Sequence, residues 1–397
     1  MLTGRRYPLA FTPEQEEFAE LIGDACRVVW NTALEQRRTY RQRGAFIGYV
    51  EQARQMAEAK KDVPWLAEAP SHTLQQTLRD LDKACKRHGT FKVRWRSKRK
   101  NAPTFRFPDP RHLAVERLSR RWGRVRLPKF GWVRFRWTRP LGGELRNATV
   151  LKDGGRWHVS FCVEDGLVES TPNGRPAVGV DRGVAVAVAT SDGRMRDRDF
   201  VTPGEAARLR RLQRKLARQR KSSNRRAATK AKIGRLNARI RARRTDFVAW
   251  TANRLTRDHG LVAVEDLKVR NMTASVKGTL AEPGRNVRQK AGLNRSILAK
   301  GWGGLLTALE HKARHNGSRI VRVPPAYTSQ TCAACGHRAP ENRESQAVFR
   351  CRACGHQANA DVNAAKNILA AGLAVTGRGD LAVRRSAKRQ PPKGEAA

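Results

Sequence analysis

Acidic side chains are scarce in this chain: 35 Asp and Glu against 81 Lys and Arg leave a formal net charge of +46 over 397 residues. An excess of that size repels itself in a compact state, so a polyanion is the expected counter-ion and nucleic acid the expected partner. Charge leaves the chemistry open, because purely structural RNA binders share this composition. Long apolar runs are also missing: no stretch of about eighteen uncharged apolar residues occurs, which argues against a membrane-spanning helix. The opening MLTGRRYPLAFTPEQ has no apolar centre of a secretory signal. Neither a P-loop nor a serine-nucleophile elbow is present, so no NTP is expected to be needed. Cysteine is limited to seven residues, four of them in two Cys-x2-Cys units, which suits a reducing compartment and a metal site better than a disulfide framework. A cytoplasmic protein is the expectation, with Cys26, Cys85 and Cys162 as core thiols.

The pattern of what remains divides the chain. Thr12-Pro13-Glu14 is a helix start, and Phe18, Leu21, Ile22, Cys26, Val29, Trp30, Ala33 and Leu34 continue it at helical spacing over 12–41. A second helix is expected over 71–86, with Leu74, Leu78, Leu81 and Cys85 on one stripe. Its polar residues His72, Gln75, Gln76 and Arg79 are candidates for reading base edges, or else ordinary solvent-facing side chains. From His88 onward, Phe91–Arg96, Thr104–Phe107, Arg124–Leu127, Trp132–Trp137 and Trp157–Val163 alternate apolar with polar residues. Short antiparallel strands in a small barrel or curled sheet are expected there, with the helices of 12–88 inserted if residues 5–11 supply a further strand. After a linker at 171–176, AVGVDRGVAVAVATSDGR reads as strand, turn, strand and an Asp192-Gly193 hairpin. Residues 205–245 carry 17 Lys and Arg against one acid. Thin apolar seams at Leu209, Leu212, Leu216 and at Ile233, Leu236, Ile240 predict a helix hairpin, the wall of a nucleic-acid channel. Arg208, Arg211, Arg214, Lys215, Arg218, Lys221 and Arg225 are its candidate phosphate contacts. Residues 268–293 read as a mobile loop, Ser296–His315 as a helix, and 319–323 as a strand. The tail at 373–397 is expected to be disordered.

Two constellations carry chemistry. Cys332-x2-Cys335 and Cys351-x2-Cys354 are separated by fifteen residues, and each pair is followed by glycine, as a knuckle turn requires. Four thiolates suit one structural Zn²⁺, with an iron–sulfur or redox role as the alternative. The second constellation is acidic. Asp181 and Glu265 end short apolar runs that read as buried strands, and Asp361 opens an Ala/Ile/Leu-rich helix just after the cysteines. Each acid alone is more often a turn residue or cap than a ligand. Together they could hold two Mg²⁺ ions on a phosphodiester, Asp181 bridging both and Glu265 and Asp361 completing one site each. Asp266, on the opposite strand face, is a weaker candidate.

At this point the chain resembles the transposon-encoded TnpB proteins, compact RNA-guided DNA nucleases related to type V CRISPR effectors. GVDRGV, VAVEDLKVRNM, PAYTSQTCAACG and CGHQANADVNAAKNIL carry the resemblance in the core, and RYPLAFTPEQ, LQQTLRDLDKAC and LPKFGWVRFRWTRPLGG extend it over nearly the whole length. The resemblance implies an α+β multidomain fold. A wedge β-barrel (1–11 and 89–170) would hold an inserted helical recognition lobe (12–88). A RuvC, RNase H-like α/β domain (177–327 and 356–372) would be cut by a zinc ribbon (328–355). It also implies Asp181, Glu265 and Asp361 as catalytic acids, two Mg²⁺, one Zn²⁺, a guide RNA, and a double-stranded DNA target read beside a short flanking motif. One alternative is an RNA-guided repressor that binds DNA without cutting it; a third reading, ranked below both, is a guide-free RuvC-like junction nuclease or resolvase.

Replacing several arginines of 208–226 with glutamine is expected to weaken nucleic-acid binding and to flatten the dependence of its affinity on salt, because each lost phosphate contact releases fewer counter-ions. An unchanged slope in a salt titration would remove this stretch from the interface.

Overall fold

The computed structural model describes residues 1–99, 101–167, 170–279 and 282–387, with side chains described as far as residue 377. The chain forms two compact units, Met1–Val168 with Lys215–Ala238, and Glu169–Arg214 with Arg239–Ala397.

In the first unit β1 (Leu2–Ala10) leads into α1 (Pro13–Gln42), α2 (Tyr49–Asp62), α3 (Pro64–Glu68) and α4 (Ser71–His88). The start of α1 is a capping box: Gln15 N donates to the Thr12 hydroxyl at 3.3 Å and Thr12 N donates to the Gln15 side chain at 3.2 Å. β2 (Thr104–Phe107), β3 (Ala114–Arg117), β4 (Trp122–Leu127), β5 (Gly131–Arg136), β6 (Glu144–Asp153) and β7 (Arg156–Glu164) follow. With β1 they make a seven-stranded antiparallel sheet in the order β2-β6-β7-β1-β5-β4-β3. β1 is therefore central: it pairs with β7 along Leu2–Pro8 and with β5 at Leu9 and Ala10. The four helices enter between this strand and β2, and share its core. Ile22, Leu34, Leu74, Leu78 and Leu81 pack into the same apolar cluster as Tyr7, Phe105, Phe135 and Phe161.

One expectation for this unit is corrected. Phe91–Arg96 forms no strand: after a short turn it runs along α1, whose side chains satisfy its backbone. Trp30 Nε1 donates to Arg94 O at 3.2 Å, Arg38 Nη2 to Val93 O at 2.8 Å, and Asn31 bonds both the N–H and the carbonyl of Arg96 at 2.9 Å. With those groups paired, no neighbouring strand is required. The helix α2 buries only Gln52 and Met56 and carries almost no apolar period, so its sequence shows no helical signal of that kind.

The second unit is built on β8 (Ala177–Asp181), β9 (Val188–Thr190), β10 (Met195–Arg196), β11 (Leu261–Glu265) and β12 (Arg319–Val323), in the order β10-β9-β8-β11-β12. β8, β11 and β12 are parallel, and β9 and β10 are antiparallel additions closed by the Asp192-Gly193 turn. Between β10 and β11 run α5 (Pro203–Arg218) and the long α6 (Asn224–Asp258), of which Lys215–Ala238 belong to the first unit; α7 (Val269–Met272), α8 (Val287–Lys300) and α9 (Trp302–Asn316) precede β12. The helix expected over Ser296–His315 is thus two helices, broken at Gly301, whose φ of +75° lies in the left-handed region. Part of the expected loop at 268–293 is helical, in α7 and the start of α8. β13 (Val348–Arg350) and β14 (Gln357–Asn359) form a hairpin, and α10 (Ala360–Ala387) closes the unit. Since α10 continues to Ala387, residues 373–387 are helical rather than disordered; 388–397 lie outside the described residues. Among the described residues no helix is long and apolar enough to cross a membrane.

α10 lies directly on the parallel strands. A Cβ on Gly179 would fall 2.0 Å from Ala365 O and 2.6 Å from Leu369 N, and one on Gly372 would fall 2.5 Å from Ala263 Cβ. Gly179→Ala should therefore push α10 off the sheet. Overpacking of this kind costs about 1–3 kcal/mol or more, so thermal denaturation should show Tm lowered by about 5 °C. An unchanged Tm would mean that the helix does not rest on β8.

Candidate active site

The strand register brings the acids together. Val180 pairs with Val264 and Gly179 with Ala263, so Asp181 and Glu265 occupy equivalent positions at the ends of neighbouring parallel strands. Side chains two apart share a face, so both carboxylates emerge on the side that Gly179 and Ala263 offer to α10. Asp361 lies in the first turn of that helix, which Asn359 caps by accepting from Asp361 N at 3.0 Å and Val362 N at 3.2 Å. A Cβ on Gly183, two residues past Asp181, would sit 3.4 Å from Asp361 Oδ2. Burial, then the charges of Glu265 and Asp361, push the Asp181 carboxyl up to about 7. Burial also raises Glu265 and Asp361 above the ordinary carboxylate range. A half-buried Asp181, whose ionisation is opposed by the buried Glu265 and Asp361, offers with them hard-oxygen donors of the kind a divalent cation takes. Asp266 faces away, half-buried and paired with Lys268 and Arg322.

Three further residues hold this cluster, and the sequence carried no signal for them. Thr328 is buried, and its hydroxyl donates to Glu265 Oε1 at 2.6 Å. Arg343, between the two cysteine pairs, reaches Asp361 Oδ1 at 3.3 Å and lowers its carboxyl against the effect of burial. Arg182 is 4% exposed and donates to the carbonyls of Glu265 and Trp302, placing a buried cation behind the strand ends.

The four cysteines converge as expected, with their sulfurs all within 4.8 Å of one another. Cys332 and Cys354 Sγ are 3.8 Å apart, and Cys335 and Cys351 Sγ 3.6 Å. A tetrahedron of Zn–S bonds of about 2.3 Å has edges of about 3.8 Å, so the cluster fits zinc. Both knuckles close alike: Cys332 N donates to His337 O and Cys351 N to His356 O, each at 2.9 Å, and Gly336 and Gly355 take φ of +76° and +70°. Asn363 and Asn367 then tie the first knuckle to α10. Ala333 N donates to Asn363 Oδ1 at 2.9 Å, and both amides donate to Thr331 O, at 2.8 and 2.7 Å.

The candidate nucleic-acid residues fall in two places. His72, Gln75, Gln76 and Arg79 line one groove of about 390 Å³ with Pro108, Asp109, Pro110 and Arg111. Gln76 is buried and donates to Asp80 Oδ1 at 2.8 Å, while Arg79 lies on the Tyr49 ring and donates to its hydroxyl. His72 and Arg79 are exposed and Gln75 is half-buried. Arg208, Arg211, Arg214, Lys215, Arg218, Lys221 and Arg225 are all exposed on α5, the turn after it and the start of α6. Arg226 instead turns inward and donates to the Leu216 and Gln219 carbonyls at the end of α5.

Comparison with known proteins places this geometry. Residues 160–276 match the family described as "Probable transposase", 302–368 the "Cas12f1-like, TNB domain", and 1–45 a "Helix-turn-helix domain", although the structure shows a strand and one long helix in that last segment. The chain is 40% identical over 373 residues to "Putative RNA-guided DNA endonuclease InsQ" of Escherichia coli (strain K12), covering 93% of this chain and 92% of that protein. It is 32% identical over 390 residues to a Streptomyces pristinaespiralis protein described as "Putative RNA-guided DNA endonuclease", covering 95% and 91%. A cryo-EM structure of the Cas12f1–sgRNA–target DNA complex shares the fold at TM-score 0.55 and 15% identity, over 90% of this chain and 83% of that one.

Metal analysis should find about one zinc per chain. Cys332→Ser should lose that zinc and lower Tm, since the knuckle it closes is bonded to α10 through Asn363 and Asn367. Zinc-free protein of undiminished stability would give the cysteines another role.

Proposed function

As the chain belongs to the transposon-encoded TnpB family, we propose that it is an RNA-guided DNA endonuclease whose catalytic carboxylates are Asp181, Glu265 and Asp361. What supports this reading is the placement of those acids at two neighbouring strand ends and a helix start, near enough for Glu265 and Asp361 to raise the Asp181 carboxyl. The second unit's five-stranded sheet with α10 is read as the RNase H-like RuvC domain, and 328–355 as its inserted zinc ribbon. The seven-stranded sheet is read as the wedge barrel, with α1–α4 as the recognition lobe. A guide RNA and a matched DNA duplex are the partners, in the cytosol, and the basic excess neutralises their phosphates. The groove at His72, Gln75 and Arg79 is the candidate reader of a short flanking motif.

Asp181, Glu265 and Asp361 would hold Mg²⁺. When bound, the metal supplies the positive charge that activates water and stabilises a leaving 3′-oxygen. The chain's own contribution is positional. β8 and β11 set Asp181 and Glu265 side by side, Thr328 fixes one oxygen of Glu265, and the cap at Asn359 fixes the start of the helix bearing Asp361. Burial keeps solvent from competing for the carboxylates, and Arg182 offsets their charge from behind. The cysteine cluster is structural, because four thiolates leave no open coordination position.

Asp181→Ala, Glu265→Ala and Asp361→Ala should each abolish Mg²⁺-dependent cleavage while RNA and DNA affinity stay near wild type. Protein stripped of RNA should leave a matched duplex intact, and adding a cognate guide should restore cutting beside the correct flanking motif. Cleavage by Asp181→Ala at normal Mg²⁺ would defeat the site assignment. Wild-type protein that binds guide and target without cutting would establish the repressor instead.

A further inference from the structure

Tyr327 holds a backbone conformation that its side chain disfavours. Its φ is +66°, in the left-handed region that glycine or asparagine fills with less strain. Strain of this kind persists only where the surroundings over-determine it, and here they do. The Tyr327 carbonyl accepts from Gln330 N and Thr331 N at 3.0 Å and from Thr331 Oγ1 at 2.9 Å. The next residue, Thr328, is anchored to Glu265 Oε1 at 2.6 Å. The strain does not serve to bury the ring, which remains 49% exposed. Instead the ring is backed by the Arg338 guanidinium, and Arg338 is held in place because its backbone bridges to Thr331 across the first knuckle. The turn thus presents a rigid, half-open aromatic surface with a cation behind it, one residue from the hydroxyl that orients a candidate catalytic carboxylate.

We propose that Tyr327 and Arg338 form a stacking site for an unpaired base of the DNA strand entering the carboxylate cluster. This rests on the nuclease reading above and extends it. Every base offers a π-face, so such a site positions a strand without selecting its sequence. A paired and stacked duplex offers no free face, so the site favours a strand already unwound. The guanidinium adds charge attraction to the phosphates and cation–π support to the ring.

The test uses the full chain with its guide RNA and a matched single-stranded DNA carrying 2-aminopurine at successive positions around the cut. Ca²⁺ replaces Mg²⁺ so that binding is read without cleavage. Fluorescence should be quenched at one position by wild type and by Tyr327→Phe, and not by Tyr327→Gly. The glycine variant relieves the backbone, so its Tm should equal or exceed that of wild type. With Mg²⁺ its KM for the single strand should rise about tenfold, while kcat changes by less than about twofold, the pattern of lost uniform binding. Quenching and KM left unchanged in Tyr327→Gly would overturn the proposal and leave the residue as a turn former. So would a Tyr327→Phe variant as defective as Tyr327→Gly, which would move the role from ring to hydroxyl. Wild-type quenching without Mg²⁺-dependent cleavage would support stacking while defeating the nuclease reading. Wild-type cleavage without quenching at any position would defeat stacking alone.

Discussion

A β-carbon at position 179 would meet the Ala365 carbonyl, and one at 372 would meet Ala263, so at these two points α10 lies on β8 and β11 with no room for a larger side chain. That closeness sets the geometry of the carboxylate cluster. The face of β8 that exposes Gly179 to the helix exposes Asp181 two residues later, and Ala263 and Glu265 repeat the relation on β11. A helix lying further out would carry Asp361 away from both. The small residues and the acids are therefore two halves of one arrangement: the first admit the helix, and the second meet where it begins.

Bringing three carboxylates together without a cation is unfavourable, and the neighbouring structure absorbs part of that cost. The Asp181 carboxyl, facing two others in a half-buried position, is pushed to about 7. Arg182 behind the strands, the Thr328 hydroxyl on Glu265 and Arg343 on Asp361 each favour the ionised forms. Two of these three come from the cysteine-bearing segment and its approach. Asn363 and Asn367, one turn apart on α10, bond the backbone before and within the first knuckle. The ribbon is thus joined to the cluster by hydrogen bonds as well as by chain connectivity, which gives the cysteines a structural bearing on the acids.

In the first unit the same principle of shared surfaces holds on a larger scale. The helices inserted after β1 have no core of their own; their leucines pack against the aromatic residues of the sheet. The segment 91–96, alternating like a strand, found its hydrogen bonds on α1 instead, through Trp30, Asn31 and Arg38. Alternation shows which side chains share a face and leaves open what satisfies the backbone.

The sequence by itself determined the features that depend on local spacing. These are the cysteine knuckles with their glycines, the buried strands ending in Asp181 and Glu265, the helix opening at Asp361, the long helix after Thr12 and the basic hairpin. Each is written within a few residues, where the strand period, the helix period or ligand spacing acts directly. Tertiary structure decided the rest. It broke the expected helix at Gly301, carried α10 through residues that looked like a tail, and turned Gln76 inward onto Asp80. It also supplied Thr328, Arg343 and Arg182 to the acids. Thr328 lies 63 positions from Glu265 and Arg343 lies 18 from Asp361, and contacts at such separations depend on how loops return to the sheet, which no periodicity records.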